Sequence, residues 1–170
     1  NSRAWNNKGA ILFQLERHAE AVDAFERALE LDPKNAGSWF NRGLALMELG
    51  RDEAAIGSFG RTLDLDPGNA EAWFEKAVAL RLLGQEEEAL GSLDRAVELE
   101  PEDGEAWYRM GLVLSETGDH ARALEAFTTA LGLGHEDGRT WFESGLSLEA
   151  LGQDARALQA FRRSVALEPG

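Results

Sequence analysis

No cysteine occurs anywhere in the sequence, so neither a disulfide nor a thiolate metal site can be built from it; the compartment is left open by that absence. Basic residues are scarce as well. Seventeen Lys and Arg stand against 31 Asp and Glu, a net charge of −14, and such a surface repels phosphate backbones and anionic membranes. Nucleic acid is thereby excluded as an expected partner, and basic protein segments are favoured. No apolar run approaches the ~18 residues of a membrane span, and no signal peptide precedes the first patterned residue. The expectation is no membrane insertion and a cytoplasmic location. Histidine is limited to His18, His120 and His135, none with a second histidine at metal-ligand spacing, and no nucleophile elbow or phosphate loop is present. No catalytic, cofactor-binding or metal-ligating residue is therefore expected, and no enzyme. Only four prolines and no low-complexity tract interrupt a chain that is 44% hydrophobic and long enough to bury a sizeable core. The pattern starts part-way through at Asn1 and stops where a turn is due at Gly170, which reads as a segment of a longer protein.

What is present is a repeat. Trp5, Trp39, Trp73, Trp107 and Trp141 are each 34 residues apart. Four residues after each stands Gly9, Gly43, Ala77, Gly111 or Gly145, and seven after it Leu12, Leu46, Leu80, Leu114 or Leu148. Offsets of zero, four and seven share one face of an α-helix. Gly50, Gly84, Gly118 and Gly152 follow where a helix needs a left-handed C-terminal residue; the first repeat has Glu16 there, so its turn is expected to be made differently. A second helix then carries Ala21, Ala55, Ala89, Ala123 and Ala157, with Phe25, Phe59, Leu93, Phe127 and Phe161 four residues on. Small residues next to large ones let two helices approach and interlock. Pro33, Pro67 and Pro101 end this helix, and Asn35, Asn69, Asp103 and Asp137 are placed to cap the next. The expected class is all-α, and the regularly spaced indoles are expected to be interior struts between hairpins.

Trp, Gly or Ala, Leu, then Gly, Ala, a large apolar residue, Ala and Pro, at a period of 34, resembles the tetratricopeptide repeat across essentially the whole chain. The resemblance implies an α-solenoid of five helix-turn-helix repeats forming a right-handed superhelix, with the first helix of each pair lining a concave groove that binds a protein or peptide. The repeats fall at 2–35, 36–69, 70–103, 104–137 and 138–170. Departures from the family pattern are few. Three residues after each Trp, where Leu is usual, stand Lys8, Arg42, Lys76, Met110 and Ser144; basic stems there can lie along apolar surface. Gly57, Gly60 and Gly91 weaken second helices. Gly132, Leu133, Gly134 and His135 replace the usual proline joint, a candidate frayed or hinged place.

On each first helix, offsets one, five and eight after Trp share a face beside the packed stripe, and by the resemblance this face points into the groove. The residues expected to bind there are Phe40, Leu44, Phe74, Val78, Arg81, Tyr108, Arg109, Leu112, Phe142 and Leu146. The aromatic column serves packing against neighbouring repeats equally well. The aliphatic column is more telling, because the family more often has a polar residue there. Acidic residues dominate around the ribbon, so an apolar, basic peptide or helix is the expected ligand. Co-chaperone members of the family clamp a C-terminal carboxylate with Lys, Asn and Arg; in the three possible registers only Asn41, Arg109 or Arg139 matches, so that clamp is absent. The rival expectation is self-assembly through the repeat ends or the groove, with a homo-oligomer by end stacking suggested because the last helix presents Leu158, Phe161, Val165 and Leu167 with no capping helix after it.

Overall fold

The computed structural model describes residues 1–167, so the end of the fifth repeat, which the sequence pattern carries to Gly170, lies outside the described residues. Among them there are ten helices and no strand: α1 (Ser2–Gln14), α2 (His18–Leu31), α3 (Ala36–Glu48), α4 (Asp52–Leu65), α5 (Ala70–Leu82), α6 (Glu86–Leu99), α7 (Gly104–Glu116), α8 (His120–Gly132), α9 (Gly138–Ala150) and α10 (Asp154–Leu167). The fold is that of an all-α solenoid built from helical hairpins. The chain divides into two compact units, residues 1–92 and 93–170, with the division inside α6. In the first unit α1 packs on α2 and α3 on α4, while α1, α3 and α5 stand side by side. The second unit repeats the arrangement with α7 on α8, α9 on α10, and α7 beside α9.

Local chemistry sets the ends of these helices. Asn35 accepts a hydrogen bond from the Ser38 N–H at 2.9 Å, and Asn69 accepts one from the Ala72 N–H at 2.8 Å. Asp103 caps α7 through the Glu105 N–H at 3.0 Å, and Asp137 caps α9 through the Thr140 N–H at 2.7 Å. Each satisfies a donor that a helix start leaves unpaired. Inside the hairpins Gly50, Gly84, Gly118 and Gly152 adopt positive φ between 66° and 84°. The first hairpin does not turn differently. Glu16 itself takes φ 58°, and the Arg17 N–H reaches the Leu12 carbonyl at 2.9 Å as the Arg51 N–H reaches that of Leu46. The bond pattern of the turn, rather than the residue type, has dictated the conformation, and a non-glycine residue carries the strain.

The joint after α8 is closed by specific contacts. Gly134 takes φ 87°, the His135 N–H donates to the Ala130 carbonyl at 3.0 Å, and the imidazole lies against the Tyr108 ring at 5.0 Å.

The deepest packing lies within each hairpin. Phe25, Phe59 and Phe127 are 1%, 0% and 0% exposed. A Cβ on Gly9, Gly43 or Gly111 would fall only 2.5–2.6 Å from the ring of the corresponding Phe, so the absence of a side chain on the first helix makes the seat for the aromatic on the second. Gly145 seats Phe161 in the same way. The indoles, by contrast, are not interior struts. All five are only partly buried, at the edge of the core, and Trp39, Trp73 and Trp107 donate their indole N–H to the carbonyls of Pro33, Pro67 and Pro101 at 3.0–3.1 Å. A tryptophan keeps its polar edge where a carbonyl or water can meet it.

Candidate partner-binding faces

The expected residues all lie on first helices, α3 and α5 in the first unit and α7 and α9 in the second. In the first unit these are Phe40 and Leu44 on α3 with Phe74, Val78 and Arg81 on α5, all of intermediate exposure. Phe40 also packs on Phe59 with ring centroids 5.8 Å apart, which leaves only part of it to solvent. A cleft of about 130 Å³ lies between α1 and α3, walled by Ala10, Phe13, Asn41 and Leu44. Its first-helix wall was absent from the expected set, because Asn6 interrupts the aromatic column in the first repeat; the signal was the pair Ala10 and Phe13 at the groove offsets. Asn41, the residue that fitted a carboxylate clamp, instead donates to Asn6 Oδ1 at 3.4 Å, and Ser38 Oγ donates to the same oxygen at 2.9 Å.

In the second unit the same offsets diverge. Tyr108 is buried at 6% exposure between Phe127 and His135, and burial pushes its phenol up from the ordinary value, against the pull of Arg139 and Arg109. Arg109 lies over its ring at 5.9 Å and donates to Glu105 at 2.6 Å. Leu112 is half-buried, whereas Phe142 and Leu146 are 45% and 38% exposed. Phe142 packs at a tilt against Phe161, with ring centroids 5.7 Å apart, and offers the rest to solvent. Glu143 stands beside it. Burial pushes its carboxyl above the ordinary range; Arg139 partly counters this and Glu116 adds to it.

The residues three places after each Trp lie on the other side of the first helices. Lys8, Arg42 and Lys76 lay their charges over Trp5, Trp39 and Trp73 at 4.8, 5.8 and 5.3 Å. Arg42 goes further and ties two second helices together, pairing with Glu26 at 2.8 Å and donating to Ser58 Oγ at 2.7 Å. Met110 and Ser144 are buried.

Among the described residues no group of three or more His, Cys, Asp or Glu is arranged to hold a metal ion, and no helix is long and apolar enough to cross a membrane. Hairpins whose cores are spent on packing one another, leaving their outer faces as the free chemistry, define a protein-binding scaffold of the α-solenoid class. The chain belongs to the tetratricopeptide-repeat family, whose models match residues 2–35, 40–104, 87–132 and 108–170. Among solved structures it is similar to MamA, with 25% identity, a TM-score of 0.93 and coverage of 99% of this chain and 92% of that one. A MamA segment from Desulfovibrio magneticus RS-1 superposes with a TM-score of 0.93 at 22% identity, covering 99% and 95% of the two chains. YrrB, described as a tetratricopeptide-repeat protein with an unusual peptide-binding site, does so with a TM-score of 0.89 at 22% identity, covering 99% and 87%. No curated protein matches the chain in sequence.

Proposed function

We propose that the first-helix faces bind a peptide or amphipathic helix that carries apolar anchors between basic residues, and that the protein works as a cytoplasmic adaptor rather than an enzyme. The observation that carries this reading is the exposed pair Phe142 and Leu146 beside Glu143, a carboxylate held under a burial penalty that a ligand's Lys or Arg would relieve. The cleft beside Leu44 adds a seat for one apolar side chain in the first unit. Peptide binding by YrrB, a relative in fold, supports the same direction. The test is capture of a peptide alternating Leu with Lys. Phe142→Ala with Leu146→Ala should abolish capture while leaving helicity intact; retained capture would refute the reading. Tyr108 is unsuited to such a test, because its buried ring would take the fold with it.

A second reading, end-to-end self-association, has its own observation. Ile11 and Leu15 in the first unit, and Leu158 and Val165 in the second, are 52–65% exposed. Leu158→Glu with Val165→Glu should then lower the mass measured by light scattering; Phe161 is the wrong probe, since its ring fills the seat over Gly145.

A further inference from the structure

A cleft of about 660 Å³ opens among α8, α9 and α10, on the side of the second helices and away from the groove residues. Its apolar wall is Leu131, Trp141 and Leu148, and Arg156, Arg162 and Arg163 stand around it. The corresponding cleft of the preceding repeat, walled by Trp107, Met110 and Leu114, holds about 320 Å³. A further hairpin follows that repeat, so the cleft is a feature of the repeat itself.

One position accounts for much of the difference. Three residues after the Trp, Lys8, Arg42 and Lys76 cover their indoles, and Met110 is buried in the smaller cleft at 4% exposure. In the last repeat the residue is Ser144, too short to fill the space, and among the described residues no cation lies over Trp141.

The charge is equally out of pattern. The second helices α2, α4, α6, α8 and α10 carry −3, −2, −4, 0 and +2, in a chain of net charge −14. Arg27, Arg61 and Arg95 occupy the register of Arg163, and each pairs with a carboxylate three residues on: Glu30, Asp64 and Glu98. Three residues after Arg163 stands Ala166, which has no charge to offer. Arg156 donates to the neutral Gln153 at 2.5 Å, and none of the three cleft arginines has an ion pair among the described residues. An apolar hollow floored by an indole and ringed by guanidinium groups, with no carboxylate among the described residues that line it, is complementary to an apolar side chain flanked by acids.

We propose that this cleft docks an acidic segment of a partner protein, seating one large apolar side chain on Trp141 and pairing its carboxylates with Arg156, Arg162 and Arg163. The site is distinct from the first-helix faces in both position and sign of charge. It makes the scaffold able to hold a basic segment on one side and an acidic one on the other.

The experiment measures fluorescence anisotropy of a short labelled peptide with one phenylalanine among glutamates, against two controls: alanine for the phenylalanine, and lysines for the glutamates. The intact chain should bind the first and discriminate against both controls, with affinity falling as salt rises. Ser144→Met, which copies the residue of the preceding repeat, should weaken binding roughly tenfold or more by filling the hollow. Arg162→Gln with Arg163→Gln, both exposed and remote from the core, should weaken it comparably and flatten the salt dependence. Phe142→Ala with Leu146→Ala should leave it unchanged, which separates this site from the groove. The proposal is overturned if the glutamate peptide does not bind, if both cleft variants bind normally, or if the lysine peptide binds as well. Tighter binding to phosphatidylserine vesicles, or a doubled mass that the arginine variant abolishes, would equally overturn it by assigning the cleft to lipid or to a second copy.

Discussion

Gly43→Ala should destabilise the chain even though it puts a better helix former into α3. In an open helix interior the exchange would gain ~1 kcal/mol. Here the new Cβ would stand 2.5 Å from Phe59 Cε1 and 2.8 Å from both Cδ1 and Cζ, and the ring is 0% exposed with nowhere to retreat. Overpacking of this kind costs ~1–3 kcal/mol and here involves three ring atoms at once, so a net loss of ~1–2 kcal/mol is expected. The companion variant Phe59→Leu loses ~1 kcal/mol of packing but removes the ring atoms that clash. The two together should be no less stable than Phe59→Leu alone, a coupling of ~1–2 kcal/mol. The sequence carries this exchange already, since the repeat with Ala77 in place of Gly has Leu93 in place of Phe. Midpoints of guanidinium unfolding, read at unchanged m value, give all four corners of the cycle. A stabilised Gly43→Ala chain, or losses that simply add, would refute the steric account.

Glu16→Gly should raise stability by ~0.5–1 kcal/mol, because it frees the α1–α2 turn from a left-handed non-glycine residue; a lowered unfolding midpoint would count against the strain. Gly57→Ala and Gly60→Ala in α4 should each add up to ~1 kcal/mol, since a Cβ at either meets nothing within 4 Å, and the thermal midpoint reads the sum. Asp137 gives a pH signature. Burial disfavours its charge, but hydrogen bonding from Thr140 and the charges of His135 and Arg139 together outweigh this, so its carboxyl lies below the ordinary value. With the folded value depressed, its contribution is present above the unfolded pKa and lost as pH falls through the folded one. Asp137→Asn, which keeps a capping oxygen, should therefore narrow the difference in melting temperature between neutral and strongly acid solution; an unchanged difference would show that the cap does not titrate as described.

The N-caps at Asn35, Asn69, Asp103 and Asp137 and the turn glycines were legible in the sequence because each answers a need of its own few residues. Three features were not. Periodicity assigns the indoles to a packed face but cannot say how much of so large a ring stays outside, and the Pro carbonyls that receive three of them only come within reach once the joint is folded. Tyr108 and Phe142 share an offset yet differ from 6% to 45% in exposure. Tyr108 is covered by His135, which arrives from a joint of unusual sequence 27 residues downstream, and no helical period encodes that. The cleft at Trp141 was hidden for a related reason: Ser144 registered as a departure from pattern, while its consequence depends on the helices that surround it.

The seat of each phenylalanine on a glycine of the same hairpin also bears on how such a chain can grow. Gly9 with Phe25, Gly43 with Phe59, Gly111 with Phe127 and Gly145 with Phe161 are each encoded within one 34-residue stretch. A slip of the replication machinery that copies or drops one stretch therefore leaves every lock with its own key. Lengthening the protein demands no simultaneous change elsewhere, and a new copy is free to drift at its exposed positions, as Arg162 has in the register of Glu26 and Asp94, without endangering the hairpin that carries it.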